Sequence, residues 1–231
     1  MSGSSPFWVV IPAAGVGARM NADRPKQYLP LGGRTLIEHT LDCFLDYPGL
    51  RGLVVSLSAT DGYWPTLACA ADPRIQRAAG GAERADSVLA GLERLSTLGA
   101  AEEDWVLVHD AARPNLSRGD LSRLLDALAD DAVGGLLAVP VRDTLKQVGT
   151  DGRVVGTPDR SLFWQAYTPQ MFRLGMLRDA LRRALAAGVA ITDEASAVEW
   201  AGHAPRLIEG RSDNIKVTRP EDLDWLASLL R

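Results

Sequence analysis

FWVVIPAAGVGARMNADRPKQYLPLGG, residues 7–33, joins a short apolar segment to a loop of small residues. Its first six residues, FWVVIP, are apolar and partly β-branched, which is typical of a strand buried on both faces of a parallel sheet. The chain then enters a stretch rich in Gly and Ala, where the backbone can turn tightly. The stretch therefore predicts a buried strand that opens directly into a loop.

Outward from this stretch, strand-like and helix-like segments alternate along the chain. Thr35 can cap a helix whose apolar positions follow the helical period through Phe44, and LVVSL then reads as a second strand. Helical spacing recurs over residues 83–98 and 121–128, and the segments WVLVHD and GGLLAVPV read as further strands. Strands separated by helices of this length imply right-handed crossovers. The predicted class is a Rossmann-like, doubly wound α/β fold with a mostly parallel sheet and helices on both faces.

One segment, RDTLKQVGTDGRVVGTPDR at residues 142–160, breaks this alternation. It reads as two long polar strands around a Thr-Asp-Gly turn and predicts a protruding β-hairpin. Such a hairpin has few core residues and cannot fold stably alone, so we expect it to pack on a second subunit. The expected organisation is a single domain over residues 1–231, with a dimerisation β-arm near residues 141–161 and a homodimeric assembly.

The composition narrows the class of protein. The 231 residues carry a formal net charge of −4 and a sequence pI near 5.4, which gives no long-range attraction to nucleic acid. The two cysteines, Cys43 and Cys69, show no metal-ligand spacing. The N-terminus lacks a secretory pattern, and no stretch has the roughly 18 apolar residues that cross a bilayer. We expect a soluble cytoplasmic protein that binds neither nucleic acid nor membrane.

The loop after the first strand carries the residue types that bind a polyphosphate. Small residues let backbone N–H groups approach an anion closely and point at it together. The Arg19 guanidinium can donate two hydrogen bonds to phosphate oxygens, and the Lys26 ammonium supplies a compact positive charge. The sequence therefore predicts a nucleoside triphosphate site. Its nucleotide-binding residues in this loop are Pro12, Ala13, Ala14, Gly15 and Gly17.

Two better-known phosphate loops fit less well. Met20 stands where the dinucleotide fingerprint GxGxxG needs a third small residue. Lys26 lies between Pro25 and Gln27, so the GK[ST] of a Walker A loop is absent. An ordinary strand-to-helix turn remains as the alternative to a binding loop.

Two motifs in the middle of the chain suggest further site residues. VHDAARP places Asp110 and Arg113 just past a predicted strand, at the sheet edge where open α/β proteins bind ligands. We expect an exposed charge pair there, in which Asp110 accepts from hydroxyls or helps to place a metal and Arg113 meets a phosphate. His109 has no nucleophile nearby in sequence and is expected to pack or hydrogen-bond. GGAERADSV, residues 80–88, sets two glycines before a helix, which suits contact with a base or ribose.

Two motifs near the C-terminus have structural and functional interpretations. TDEASAVE predicts a helix that begins near Ala195, with Thr192 as its N-cap. NIKVTRP places Lys216 in a short predicted strand before a final helix that begins near Pro220. A single lysine in a strand is more often a surface residue than a ligand.

In this order the motifs resemble the 2-C-methyl-D-erythritol 4-phosphate cytidylyltransferase family over nearly the whole chain. The segments that carry the resemblance are IPAAGVGARMNADRPKQYLPLGG, GGAERADSV, VHDAARP, YTPQ, TDEASAVE and RSDNIKVTRPEDL. The resemblance implies that Lys216 is a second lysine over the triphosphate. It also implies that the cytidine nucleotide contacts Gly81, Ser87, Asp110 and Ala111.

The same resemblance implies a set of contacts with 2-C-methyl-D-erythritol 4-phosphate. The residues concerned are Asp110, Arg113, Thr144, Arg160, Thr168 and Thr192. Arg160, which lies in the predicted arm, is expected to reach the phosphate of the neighbouring subunit's substrate. Thr168 and Thr192 are expected to donate hydroxyl hydrogen bonds to that phosphate, although each is also suited to cap a helix.

The reaction implied is attack of a phosphate oxygen of methylerythritol phosphate on the α-phosphorus of CTP, in line with departing pyrophosphate. The nucleophile is already anionic, so the barrier consists mainly of charge repulsion and alignment. The catalytic residues are accordingly cations, namely Arg19, Lys26, Lys216 and Arg160. Mg²⁺ is the expected cofactor, held mainly by the CTP phosphates.

Other functions remain open on the sequence alone. The nearest is a cytidylyltransferase for another polyol phosphate such as ribitol 5-phosphate, or a sugar nucleotidyltransferase. A non-catalytic nucleotide sensor could use the same fold, but it has little reason to place three cations around an α-phosphate. A nicotinamide-dependent oxidoreductase is disfavoured by the broken dinucleotide fingerprint.

Overall fold

A seven-stranded sheet forms the centre of the part of the chain that this computed structural model describes, residues 5–15 and 24–229. The strands are β1 (Phe7–Pro12), β2 (Pro30–Leu31), β3 (Arg34–Thr35), β4 (Leu50–Leu57), β5 (Ile75–Ala79), β6 (Trp105–Val108), β7 (Gly134–Pro140), β8 (Gln147–Val148), β9 (Val154–Gly156), β10 (Trp164–Arg173) and β11 (Arg206–Glu209). The helices are α1 (Leu36–Leu45), α2 (Arg84–Thr97), α3 (Arg118–Leu128), α4 (Leu174–Ala186), α5 (Glu194–Trp200) and α6 (Pro220–Leu229).

The strand order in the sheet is β11-β7-β10-β6-β1-β4-β5. Every neighbouring pair is parallel except those of β10, which runs antiparallel to both β6 and β7. This confirms the mostly parallel sheet. The chain leaves β1 towards β4 on one side and later returns to β6 on the other side. Open sheets bind ligands beyond the carboxyl ends of their strands at such a switch point.

Alternate side chains of β1 enter two separate cores. Val9 and Ile11 pack with α1 and α3 on one face of the sheet. Val10 packs with α2, α4 and α5 on the other face. Each such fully buried aliphatic side chain contributes about 1.5–3 kcal/mol relative to an exposed one. The helices therefore cover both faces, as the sequence predicts, and fix the end of β1 from both sides.

The arm has shorter strands than the sequence predicts. β8 and β9 contain only two and three residues, and the Gly149 N–H donates to the Arg153 carbonyl at 2.9 Å across the turn that joins them. Residues 142–146 and 157–160, which the sequence also assigns to the hairpin, form no strand. The paired strands are expected to be polar, but each carries an exposed apolar side chain, Val148 at 60% and Val154 at 59%. The arm continues directly into β10, whose first residues pair with the end of β7.

Two details near the C-terminus differ from the sequence-based predictions. The N-cap of α5 is Asp193 and not Thr192, because the Asp193 carboxylate accepts from the Ser196 N–H at 2.9 Å. Lys216 lies in a segment without strand pairing, whereas α6 begins at Pro220 as predicted. Within residues 5–15 and 24–229, none of the helices has the length and apolar character needed to cross a membrane.

Candidate active site

A cleft of about 340 Å³ lies beyond the carboxyl end of β1, where the sheet order reverses. Its size and mixture of apolar and charged walls suit a small-molecule ligand. The sequence-predicted residues that line it are Pro12, Ala13, Ala14, Gly15, Lys26, Gly81, Ser87, Asp110, Ala111 and Lys216. The further lining residues are Gln27, Ala82, Glu83, Arg84, Ala112 and Thr218. Gly17 and Arg19 lie outside the described residues.

The two predicted lysines both line this cleft. The Lys216 ammonium is 2.9 Å from Asp110 Oδ2. The Lys26 ammonium donates to the carbonyl of Val217, the residue next to Lys216, at 3.3 Å. Residues almost two hundred positions apart in sequence therefore bring two cations to the lining of one cleft, where they can bind the oxygens of a polyphosphate.

The loop after β1 is fixed by backbone hydrogen bonds. The Ala13 N–H donates to the Ser56 carbonyl at 2.8 Å, and the buried Gln27 amide donates to the Ala13 carbonyl at 2.7 Å. The Ala13 N–H is therefore already paired with the neighbouring strand, and the contact of Ala13 with a nucleotide stays a prediction. Gln27 is a support residue that the sequence pattern did not indicate, and its neighbour Lys26 is oriented by the same turn.

The glycine motif before α2 brings another backbone segment against the loop. A Cβ atom on Gly80 would lie 2.3 Å from the Ala14 Cβ, so only glycine permits this approach. The Gly81 N–H donates to the Ser87 hydroxyl at 3.2 Å, and that hydroxyl donates to the Glu83 carbonyl at 3.2 Å. Gly81 and Ser87 line the cleft as predicted, and their contact with a nucleotide stays a prediction.

Asp110 is the most strongly engaged carboxylate of the cleft. It accepts from Arg84 Nε at 3.0 Å, from Lys216 Nζ at 2.9 Å and from Arg113 Nε at 3.4 Å. Burial favours the neutral acid, but these three cations outweigh it and hold the pKa of Asp110 far below its usual range. The expectation of an exposed pair is wrong, because Asp110 and Arg113 are each only 7% exposed.

Arg84 and Glu194 are site residues that sequence reasoning missed. Arg84 Nη1 and Nη2 donate to the two carboxylate oxygens of Glu194 at 2.5 and 3.1 Å, while its Nε donates to Asp110. Burial would lower the pKa of Arg84, but the two carboxylates raise it above its ordinary value. The available signal was a charged residue in each of two quoted motifs, GGAERADSV and TDEASAVE.

Thr168 and His109 form the buried floor behind Asp110. The Thr168 hydroxyl lies 2.9 Å from His109 Nδ1 and accepts from the Asp110 N–H at 3.1 Å. His109 Nε2 is 2.9 Å from the Arg113 carbonyl, which can only accept, so this network assigns the ring proton to Nε2. His109 therefore packs and hydrogen-bonds, as predicted. For Thr168 to donate to a substrate phosphate, as the resemblance implies, its hydroxyl would have to leave His109.

The remaining predicted substrate residues do not line the cleft of this chain. Arg113 lies behind Asp110, and its Nη1 donates to the Asn214 carbonyl at 2.7 Å. Thr144 and Arg160 are exposed in the arm region, where Arg160 Nη1 donates to the Arg142 carbonyl at 2.5 Å. Thr192 is exposed just before α5. The roles of these residues in substrate binding stay predictions.

The cleft can hold a metal ion only when the bound ligand supplies most of the groups that coordinate it. Among the described residues, no three His, Cys, Asp or Glu side chains converge into a metal site. Three cations already occupy most of the roughly four lone-pair positions of the Asp110 carboxylate. Mg²⁺ in proteins commonly combines one or two carboxylates with substrate phosphates. Asp110 could therefore supply a single ligand to Mg²⁺ bound by a triphosphate.

Comparison with known proteins identifies the family of this chain. The profile of the family described as IspD, 2-C-methyl-D-erythritol 4-phosphate cytidylyltransferase, matches residues 7–231. A relative of that name from Pseudomonas fluorescens strain SBW25 is 74% identical over 220 residues, which are 95% of this chain and 94% of the relative.

Solved structures point the same way. A crystal structure of 4-diphosphocytidyl-2C-methyl-D-erythritol synthase has a TM-score of 0.85 and 42% identity, covering 98% of this chain and 100% of that one. The Francisella tularensis 2-C-methyl-D-erythritol 4-phosphate cytidylyltransferase structure has a TM-score of 0.82 and 36% identity, covering 96% and 98% of the two chains. The chain therefore belongs to the 2-C-methyl-D-erythritol 4-phosphate cytidylyltransferase family.

Proposed function

We infer that this protein transfers CMP from CTP to 2-C-methyl-D-erythritol 4-phosphate, releasing pyrophosphate and giving 4-diphosphocytidyl-2-C-methyl-D-erythritol, in isoprenoid precursor biosynthesis. The observation that carries this function is the convergence of Lys26 and Lys216 on one cleft at the switch point of the sheet, in a chain of this family. Fixed cations stabilise the charge of the triphosphate, and transfer of the cytidylyl group from it needs mainly such charge stabilisation and alignment.

The chemistry is a direct displacement. A phosphate oxygen of the methylerythritol phosphate forms a bond to the α-phosphorus of CTP, and the bond from that phosphorus to the pyrophosphate oxygen breaks. Lys26 and Lys216 stabilise the charge that develops on the α-phosphate and on the departing pyrophosphate. We assign Arg19 the same task. Because the nucleophile is already an anion, no general base and no covalent enzyme intermediate are required.

A divalent cation is part of the proposal. Mg²⁺, when bound, would neutralise phosphate oxygens of the nucleotide. Asp110 is the candidate protein ligand, and its three cationic partners leave it room for little more than one additional contact. The protein contributes mainly by orienting the triphosphate that carries the metal.

A homodimer through the arm is also proposed. The arm region exposes apolar side chains that a single subunit does not cover, including Val155 at 64% and Leu162 at 79%. Such a surface supports an interface. A second subunit seated there would let Arg160 act on the partner's substrate, as the family resemblance implies. We place this assembly in the cytoplasm, where CTP is available.

The test is a pyrophosphate-release assay with a matrix of substrates. The purified protein is combined with Mg²⁺, one of CTP, UTP or ATP, and either methylerythritol phosphate or ribitol 5-phosphate. Rapid pyrophosphate release only with CTP and methylerythritol phosphate is expected. Faster turnover with ribitol 5-phosphate would refute the assigned acceptor, and light scattering that shows a monomer at assay concentration would refute the role of the arm.

A further inference from the structure

Glu194 is a buried carboxylate with no part in the reaction as described. It is the first residue of α5, it is 1% exposed, and it is not among the described residues that line the cleft. A carboxylate buried this deeply is stable only when it is paired and hydrogen-bonded. Both of its oxygens accept from Arg84, at 2.5 and 3.1 Å.

Arg84 is shared between two carboxylates. Its Nη1 and Nη2 face Glu194, and its Nε faces Asp110 Oδ1 at 3.0 Å. A guanidinium is planar and rigid, so this double contact fixes the two carboxylates relative to one another. Asp110 Oδ2 in turn binds the Lys216 ammonium at 2.9 Å. We call this sequence of contacts, Glu194–Arg84–Asp110–Lys216, the ion-pair chain.

The far end of the ion-pair chain is attached to the sheet. The buried Gln170 side chain in β10 accepts from the Ala195 N–H at 2.7 Å and donates to the Asp193 carboxylate at 2.9 Å. These contacts bracket Glu194 at the start of α5. The start of α5, which carries Glu194, is therefore attached to the sheet.

We propose that Glu194 is a positioning residue that, through Arg84 and Asp110, holds the Lys216 ammonium where the transferring phosphate develops charge. This inference rests on the proposed function. A lysine side chain is long and flexible, so a cation at its tip stabilises a transition state only if other groups fix it beforehand. Misplacement by about 1 Å can cost about a hundredfold in rate.

Glu194→Gln probes this role with little change in shape. The amide offers Arg84 one oxygen in place of two and turns an NH₂ group towards the guanidinium, so the paired contact is lost. Arg84 then depends on Asp110 alone and competes with Lys216 for the carboxylate. Lys216 should lose its fixed position although neither Lys216 nor any other cleft residue has been changed.

A double-mutant cycle with Lys216→Met tests the inference. Turnover and KM for CTP are measured by pyrophosphate release for the wild type, E194Q, K216M and E194Q/K216M. We expect E194Q to lower kcat by about 10- to 100-fold with KM changed less than about threefold. In the K216M background the same substitution should change kcat by less than about twofold, because the group it positions is gone.

Asp120→Asn is the matched control. Asp120 is also a carboxylate with 1% exposure that pairs with an arginine, Arg123, at 2.8 Å, but it is not among the described residues that line the cleft. The D120N substitution should lower the unfolding temperature and leave kcat unchanged. If E194Q does not fold, Glu194→Asp replaces it in the cycle, because it keeps the charge and withdraws the carboxylate by one methylene.

Three results would overturn the inference. If E194Q lowers kcat by the same factor in the wild-type and K216M backgrounds, Glu194 acts by another route. If E194Q lowers the unfolding temperature and leaves kcat unchanged, Glu194 has a structural role only. The same conclusion follows if D120N loses as much kcat as E194Q does. If the wild type itself forms no product from CTP and methylerythritol phosphate, it is the proposed function that fails.

Discussion

Replacing Asp110 with Asn should destabilise the protein strongly, because the carboxylate keeps three cations together. Asn has nearly the same shape, so the substitution removes the charge and little volume. Arg84, Arg113 and Lys216 would then crowd around a neutral amide, with Glu194 as the remaining carboxylate of the cluster. Arg113 is the most affected, since its side chain is 9% exposed and water cannot replace its partner.

The magnitude follows from the contact distances. At about 3 Å and an effective dielectric constant of about 20, each ion contact contributes about 5 kcal/mol of attraction. Desolvation of the ions cancels much of this, at several kcal/mol for each buried charge. Breaking a buried pair by removing one partner accordingly costs about 3–5 kcal/mol in net terms. For a chain of this length that corresponds to a fall in the unfolding temperature of about 6–20 °C.

The assay is urea unfolding at neutral pH, followed by far-UV circular dichroism. Asp213→Asn is the matched control, because Asp213 pairs with an arginine, Arg211, whose side chain is 61% exposed, and such surface pairs contribute little to stability. A loss below about 1 kcal/mol for D110N, or a loss equal to that of D213N, would refute the view that Asp110 neutralises the cleft cations in the folded protein.

Three further predictions concern the loop, the buried histidine and the glycine motif. Lys26→Ala should lower kcat by about 100- to 1000-fold while circular dichroism stays normal, and near-normal pyrophosphate release would contradict this. Burial lowers the pKa of His109 to about 4 in the folded protein, whereas the pKa in the unfolded chain is about 6.5. As the pH falls, the unfolded chain therefore takes up the proton at a higher pH than the folded protein does. The free energy of unfolding should therefore fall by at most about 3 kcal/mol as the pH is lowered from 6.5 to 4. In His109→Asn, urea titrations at several pH values should show a smaller fall of the free energy of unfolding over the same range. Gly80→Ala should cost about 1–3 kcal/mol and raise KM for CTP by pushing on Ala14, whereas Gly119→Ala, which meets only a side-chain oxygen at 3.9 Å, should do neither.

The sequence predicts best those features that depend on neighbours along the chain. The apolar run of β1, the start of α1 after Thr35 and the start of α6 at Pro220 all follow from local patterns, and the structure confirms them. The predicted N-cap of α5 is wrong by one residue because Thr192 and Asp193 are both good caps. The choice between them depends on Gln170, which binds Asp193 from a different element.

Contacts between distant segments explain what the sequence could not predict about the cleft. A charged residue is expected to be exposed unless a partner is known, and for that reason the sequence places Asp110 at the surface. Its partner Arg84 lies 26 residues earlier in the chain, and the second partner of Arg84, Glu194, lies 110 residues after Arg84. The same limit applies to the Ala13 N–H, whose acceptor Ser56 belongs to the neighbouring strand. Family motifs located these segments without revealing how their side chains pair.

The way Lys216 is held has a consequence for synthesis of the protein on the ribosome. The segment that carries Lys216 docks through the carbonyls of Asn214 and Val217 and through Asp110, and it follows all seven strands of the central sheet in chain order. Domains emerge and begin to fold from the N-terminus. The sheet can therefore form around β1 while the cations of the cleft are still incomplete. The nascent chain cannot transfer a nucleotide until this segment has been translated and has docked beside the sheet.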